Sequence, residues 1–309
     1  MSLRTALVAG ATGFIGGAVA RHLIAKGVDT YSLVFADRTR HRTTPGTELI
    51  SASSRVEDIR AVLAGHDFDA VMLLAASGVA PQDRDPERLL DGNVRLAGRL
   101  WHGIVETRPK MVLFAGSCAE YSPISPPALL REEHPTQPAN LYGAAKAGAV
   151  LWAQATAARL GLPLAVLRLF HTFGPGEAPT RLVPHLTHHL IHQSPADLTG
   201  GEQVRDLLYV DDVANAFAIA AEAQLEPQSV FNVCSGVPVS IRTVAETLVR
   251  LTDRSPELLR FGALPYRTDE EMWIVGDNRR FKAATGWQPS TPLERGLALC
   301  LSGQTAPAL

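Results

Sequence analysis

Residues 6–25 hold an apolar run, Ala6-Leu-Val-Ala9, a glycine turn, Gly10-Ala-Thr-Gly13-Phe-Ile-Gly16, and an apolar helical stretch over 18–25. Strand, turn and helix in that order open a βαβ unit. The glycines let backbone approach a pyrophosphate, and the amino terminus of the following helix offers it unpaired N–H groups. The spacing is Gly-x-x-Gly-x-x-Gly, not the commoner Gly-x-Gly-x-x-Gly. Further apolar runs at 31–35, 70–75, 111–115 and 164–169 alternate with helical stretches, among them long helices expected over 86–107 and 139–160. That rhythm implies an α/β fold, a doubly wound parallel sheet covered on both faces and serving as a dinucleotide-binding core.

Composition narrows the function classes. The 309 residues suffice for one elaborated domain or two, and a formal net charge of −2 leaves no basic surplus for nucleic acid. Cys118, Cys234 and Cys300 are too scattered for a disulfide framework or a zinc site, which fits a reducing cytoplasm. The first apolar run is too short for a signal peptide, and no run approaches the ~18 residues of a membrane span. A cytoplasmic protein without membrane contact is expected. His185, His188, His189 and His192 fall at helical spacing, but no acid or cysteine accompanies them, so a polar helix face is expected and no metal.

Tyr142 and Lys146 lie four apart in Asn140-Leu-Tyr-Gly-Ala-Ala-Lys-Ala, so their side chains share one helix face. A phenol with a reference pKa near ~10 is a poor acid–base catalyst at neutral pH, and a neighbouring ammonium favours its ionised form. Taken alone, the pair also fits a solvated helix face. Ser117 closes Met111-Val-Leu-Phe-Ala-Gly-Ser, so its hydroxyl emerges at the carboxyl end of a buried strand, where open α/β sheets bind ligands. Asn93, Arg168-Leu-Phe-His-Thr-Phe-Gly-Pro-Gly176, Arg205-Asp-Leu-Leu-Tyr-Val-Asp-Asp-Val213 and residues 232–236 complete the pattern. Together these motifs resemble the extended short-chain dehydrogenase/reductases that act on nucleotide sugars, and the resemblance covers nearly the whole chain.

The resemblance implies a Rossmann-type domain over 1–169, with 205–235 returning to it, and a smaller carboxyl-terminal α/β substrate-binding part over 170–204 and 236–309. It implies a catalytic set of Ser117, Tyr142 and Lys146. It places Gly10, Thr12, Gly13, Phe14, Ile15, Gly16, Ala75 and Asn93 around the cofactor, with Tyr142 and Lys146, and Cys118, Glu120, His171, Arg205 and Arg267 around the substrate. His171 stands where relatives usually have Asn. Arg205 is a diphosphate candidate that also fits a structural pair with Asp206 or Asp211, and Arg267 and Arg279 are weaker candidates of the same kind. Small residues in the 139–160 helix, such as Ala144, Ala147 and Gly148, allow either a homodimer contact or packing on the molecule's own sheet.

NAD-dependent relatives hold the adenosine ribose through an acid at the end of the second strand, a place that counts to Val34 here. Asp37 follows, then Arg38, Arg40 and Arg42, a setting suited to the 2′-phosphate of NADP, while a small shift lets Asp37 serve NAD. Ala52 stands where relatives often carry an acid near the adenine. Dehydratases of this kind carry an Asp-Glu pair after the serine or threonine, where this chain has Cys118 and Ala119. The expected activity is therefore reduction of an NDP-4-keto-6-deoxyhexose, on a dTDP-linked sugar. A 4-epimerase with tightly held NAD is the alternative, and a redox-inactive dinucleotide sensor is a third reading.

Overall fold

The computed structural model describes residues 2–36, 44–79 and 85–304. Strands β1 (Thr5–Ala9), β2 (Asp29–Phe35), β3 (Glu48–Ala52), β4 (Ala70–Leu73), β5 (Met111–Ser117) and β6 (Leu164–Leu169) build most of one parallel sheet. The chain then leaves through β7 (His171–Phe173), β8 (Ala196–Leu198) and β9 (Val204–Tyr209), and β10 (Ser229–Val233) returns to pair with β6. The sheet order is β10-β6-β5-β4-β1-β2-β3. The order reverses between β1 and β4, so a crevice opens at the carboxyl ends of those strands.

The strands are apolar on both faces because helices cover both. Ala6, Val8, Met72 and Leu113 join one core with helices α1 (Phe14–Ala25) and, later in the chain, Val213, Phe217 and their neighbours. Leu7, Ala9, Val71, Val112 and Phe114 point the other way. There they meet α2 (Val56–Leu63) and a long helical arm that runs from α3 (Pro86–Leu89) through a π-helical turn (Leu90–Arg95) into α4 (Leu96–Ile104). The alternation is the period-2 geometry of a strand. The expected single helix over 86–107 is thus interrupted at Asn93, whose amide donates to Ser77 O at 3.1 Å and Leu89 O at 2.9 Å. An extra residue in the helical turn lets that side chain reach the loop after β4.

Helix α5 (Leu141–Leu160) begins where the Asn140 side chain accepts from Gly143 N at 3.0 Å and ends at Gly161, in the left-handed conformation at φ 66. After it come α6 (Leu182–Ile191), α7 (Val210–Glu222), α8 (Ile241–Thr252), α9 (Arg279–Thr285) and α10 (Leu293–Gln304). Strands β11 (Pro238–Ser240), β12 (Leu259–Phe261) and β13 (Trp273–Ile274) form small sheets with β9 and β8. β9 is the centre of the smaller sheet, and α7, which follows it directly, packs against α1 of the main sheet's layer. The seam is stapled by Asp206, whose carboxylate accepts from Ser235 N at 2.7 Å, Gly236 N at 2.9 Å and Gly276 N at 3.2 Å. No helix among the described residues is long and apolar enough to cross a membrane.

Candidate active site

The glycine turn and the mouth of β5 lie at the same edge of the sheet. Gly10 adopts φ +104, and a Cβ there would fall 2.7 Å from Ala75 N, so Ala75 and the end of β4 press directly on the turn. A Cβ on Gly16 would fall 2.1 Å from Gly10 O. Gly13 differs: it is exposed, and a Cβ would meet only Gly10 O at 3.3 Å. A Cβ at 13 is thus tight against one backbone oxygen but avoids the overlaps found at 10 and 16, and the exposed position leaves room for a ligand to approach the backbone. Thr12, Phe14 and Ile15 are half-buried around it, and the first turn of α1 has neither a side-chain cap nor an acid. Open backbone donors beside a missing Cβ fit a dinucleotide pyrophosphate.

Ser117 ends β5 and caps the short turn after it, its Oγ accepting from Ala119 N at 3.2 Å. The amino terminus of α5 seats on that turn because residue 143 is glycine: a Cβ would lie 2.0 Å from Ala119 O. The close seat brings the Tyr142 phenol beside Ser117. Burial pushes the phenol up to about 12, the Ser117 contact pulls it down, Cys118 and Glu120 push it up, and Arg181 pulls it down.

Lys146, one turn along α5, is buried and donates from Nζ to Ala115 O at 2.6 Å, 5.2 Å from the Phe114 ring centroid. Burial brings its ammonium down to about 8, while Glu120 holds it up. The expected depression of Tyr142 by Lys146 is therefore corrected. The ammonium is turned onto the strand carbonyl, and loss of water around the phenol outweighs any neighbouring cation.

The substrate candidates divide. Cys118 is half-buried beside Tyr142, with burial pushing its thiol up to about 12 and Glu271 and Arg205 nearby. His171 has its imidazole drawn well below the usual range by burial and by Arg205 and Arg181, so it is neutral. Arg205 is buried and paired not with Asp206 or Asp211 but with Glu270, Nη2 to Oε1 at 2.6 Å. Arg267 is exposed on the loop leading to Glu270. Arg279 is exposed and held bidentately by Asp277, Nε to Oδ1 at 2.9 Å, a partner it would have to exchange to meet a diphosphate, as Arg205 would exchange Glu270.

Glu120 is corrected outright. It is fully buried, its Oε1 accepts from Ser117 N at 2.6 Å and its Oε2 pairs with Arg168 Nε at 2.7 Å, so neither oxygen is presented to a sugar. Asp37 and Arg38, with Arg40 and Arg42, lie outside the described residues. Val34 is buried, pairs with Ser51, and follows Leu33, the partner of Ala9 in β1. The four histidines of α6 and its end meet pairwise, His185 edge-on to His189 at 4.5 Å and His188 stacked on His192 at 4.3 Å. Among the described residues no group of three or more His, Cys, Asp and Glu is arranged to hold a metal.

Arg181 was not legible from any motif. It stands at the amino end of α6, its charge felt at both Tyr142 and His171, and its Nε meets Glu177 Oε1 at 3.2 Å. Burial pushes the Glu177 carboxyl up to about 7, and its Oε2 has no hydrogen-bond partner. The arrangement sets a hydroxyl and a phenol side by side at the mouth of β5, with a cation one helical turn away and Arg181 and Arg205 close enough for their charge to act on Tyr142, Cys118 and His171.

A model of the NAD dependent epimerase/dehydratase family matches residues 6–234. CDP-abequose synthase of Salmonella typhimurium is 33% identical over 135 residues, a stretch spanning 42% of this chain and 45% of that relative. UDP-glucose 4-epimerase of Streptomyces lividans is 28% identical over 306 residues, covering 92% of this chain and 91% of the relative. Among solved structures, UDP-glucose 4-epimerase of Thermotoga maritima with UDP-glucose superposes with a TM-score of 0.88 at 25% identity, covering 97% and 98% of the two chains.

Proposed function

The chain belongs to the NAD dependent epimerase/dehydratase family, and within it we propose that it reduces the 4-keto group of a nucleotide-linked 6-deoxyhexose. The observation that carries this reading is the Tyr142 phenol set beside Ser117 at the mouth of β5, with Lys146 one helical turn behind it and with Cys118 and Ala119 next along the chain. A bound nicotinamide supplies hydride to the sugar carbon. Ser117 orients the carbonyl oxygen and steadies its developing charge, and Tyr142 gives that oxygen a proton. Burial keeps the phenol protonated, the form a donor needs. Lys146 holds the ribose of the cofactor and carries the positive charge of the site. Elimination of water needs an acid and a base at the sugar, and Cys118 and Ala119 supply neither, which argues against a dehydratase.

We take NADPH as the hydride donor. A buried Val34 at the register of the ribose acid supports this reading, and Arg38 is the proposed contact of the 2′-phosphate. Arg205 and Arg181 are the proposed diphosphate ligands, the first exchanging Glu270 for phosphate oxygens, and dTDP is the proposed nucleotide. Fixing the diphosphate away from the reacting carbon provides orientation.

The test uses NADPH deuterated at the transferring position. Deuterium at C4 of the product supports the reductase. The second reading, 4-epimerisation with tightly held NAD, is favoured by the epimerase relatives that cover almost the full chain. It predicts a product with no deuterium and NAD released on denaturation.

A further inference from the structure

We propose that the buried Glu120–Arg168 ion pair is the positioning device of this active site: it fixes Ser117 at the mouth of β5 and lays a negative charge beside Tyr142 and Lys146. The inference rests on the catalytic reading of Tyr142 and Lys146.

A carboxylate with no exposed surface is costly unless every oxygen is bonded. Glu120 meets that condition through Ser117 N at 2.6 Å and Arg168 Nε at 2.7 Å. Arg168 in turn lies 4.5 Å over the Tyr121 ring and donates to Glu132 O at 3.4 Å. Tyr121 donates to Asn232 Oδ1 at 2.6 Å, and Asn232 N donates to Glu132 Oε1 at 2.8 Å. The network therefore joins the carboxyl ends of three adjacent strands, β5 through Ser117, β6 through Arg168 and β10 through Asn232. Gly116 makes room for it, since a Cβ there would lie 2.8 Å from Glu120 Oε1 and 3.0 Å from Arg168 Cγ.

Buried ion pairs are weak devices for stability, and apolar side chains of similar volume serve a core at least as well. This pair instead touches the backbone N–H of the catalytic serine. Its charge also reaches both titrating partners. Around Tyr142 stand Ser117, Cys118, Glu120 and Arg181; around Lys146 stands Glu120, with the Ala115 carbonyl and the Phe114 ring. Glu120 pushes the phenol and the ammonium upward, keeping the donor protonated and the lysine charged.

The test is Glu120→Gln, which keeps an acceptor for Ser117 N and removes the charge. The expected result is a loss in kcat on the order of tenfold to a hundredfold with little change in KM, and an alkaline limb of the kcat profile displaced to lower pH. A second readout needs no substrate. In protein carrying 13C-labelled lysine, the Lys146 resonance, identified by its loss in Lys146→Met, should titrate at lower pH in Glu120→Gln. If Glu120→Gln fails to fold because Arg168 is left buried and unpaired, the double variant Glu120→Gln/Arg168→Met removes both charges together and should show the same two displacements. An unshifted lysine titration overturns the proposal even if no sugar substrate has been found. A raised KM with unchanged kcat also overturns it, by returning Glu120 to the sugar. A shifted titration without turnover of any keto-sugar upholds the positioning role and counts against the proposed substrate alone.

Discussion

Gly13 and Gly16 share one motif and carry different loads. Gly16→Ala puts a methyl group 2.1 Å from Gly10 O, so it should destabilise the fold by about 2–3 kcal/mol. Gly13→Ala meets only a 3.3 Å contact and should leave the unfolding midpoint within a few degrees of the parent while weakening dinucleotide binding at least tenfold. Thermal melts and cofactor titration separate the two, and equal melting losses would contradict the assignment. Lys146 gives a prediction of the opposite sign. Its ammonium is brought from 10.5 down to about 8 by burial, so its contribution to stability is present above the unfolded value and lost as pH falls through about 8. At pH 7 the charged lysine is a net strain, and Lys146→Met should raise stability by roughly 1–3 kcal/mol while abolishing turnover. The placing of Ser117 at the end of a strand and of Tyr142 and Lys146 on one helix was legible in the sequence because each follows from local spacing. Glu120 and Arg181 were not. Their partners, Arg168 for one and Tyr142 and His171 for the other, arrive from distant segments, and only packing decides whether an acid is solvated or buried.

Helix α5 presents Leu141, Leu151 and Trp152 at 57%, 64% and 52% exposure, with Ala144 beside them, and Leu90 of the adjoining helical arm is 43% exposed. Such a stripe on two adjacent helices suits a second copy of the chain, and we propose a homodimer through this face. Trp152→Glu should convert the protein to a monomer in light scattering at micromolar concentration. A persisting dimer would move the interface elsewhere. The small residues of α5 were legible, but their partition was not: Ala145, Ala149 and Ala153 pack inward while Ala144 faces out. The hydrophobic pattern runs all round this helix, so periodicity could not choose a face. Likewise the 86–107 stretch read as one helix, since the π turn depends on the reach of Asn93 to Ser77 and not on helix propensity.

On the scale of the molecule, the α/β rhythm announced the parallel sheet, and five of its strands fall on the expected apolar runs, while β3, with Glu48 and Ser51 among its residues, does not. The return path was less legible: Val204–Tyr209 mixes Val204, Leu207 and Leu208 with the charged Arg205 and Asp206, which tie it into the seam. Asp206 joins the two parts through donors from residues 235, 236 and 276, so Asp206→Ala should cost about 3 kcal/mol and broaden thermal unfolding as the parts uncouple. A single sharp transition at the parent temperature would contradict that. Between those parts lies the proposed reduction, and absorbance of the reduced nicotinamide tests it most directly. The protein and its Tyr142→Phe variant are mixed with dTDP-4-keto-6-deoxyglucose generated in place, with NADPH and NADH offered separately. Substrate-dependent loss of NADPH signal, faster than with NADH and reduced at least a hundredfold in Tyr142→Phe, is the predicted result. No loss with either cofactor, alongside NAD released on denaturation, would contradict it and leave epimerisation as the activity.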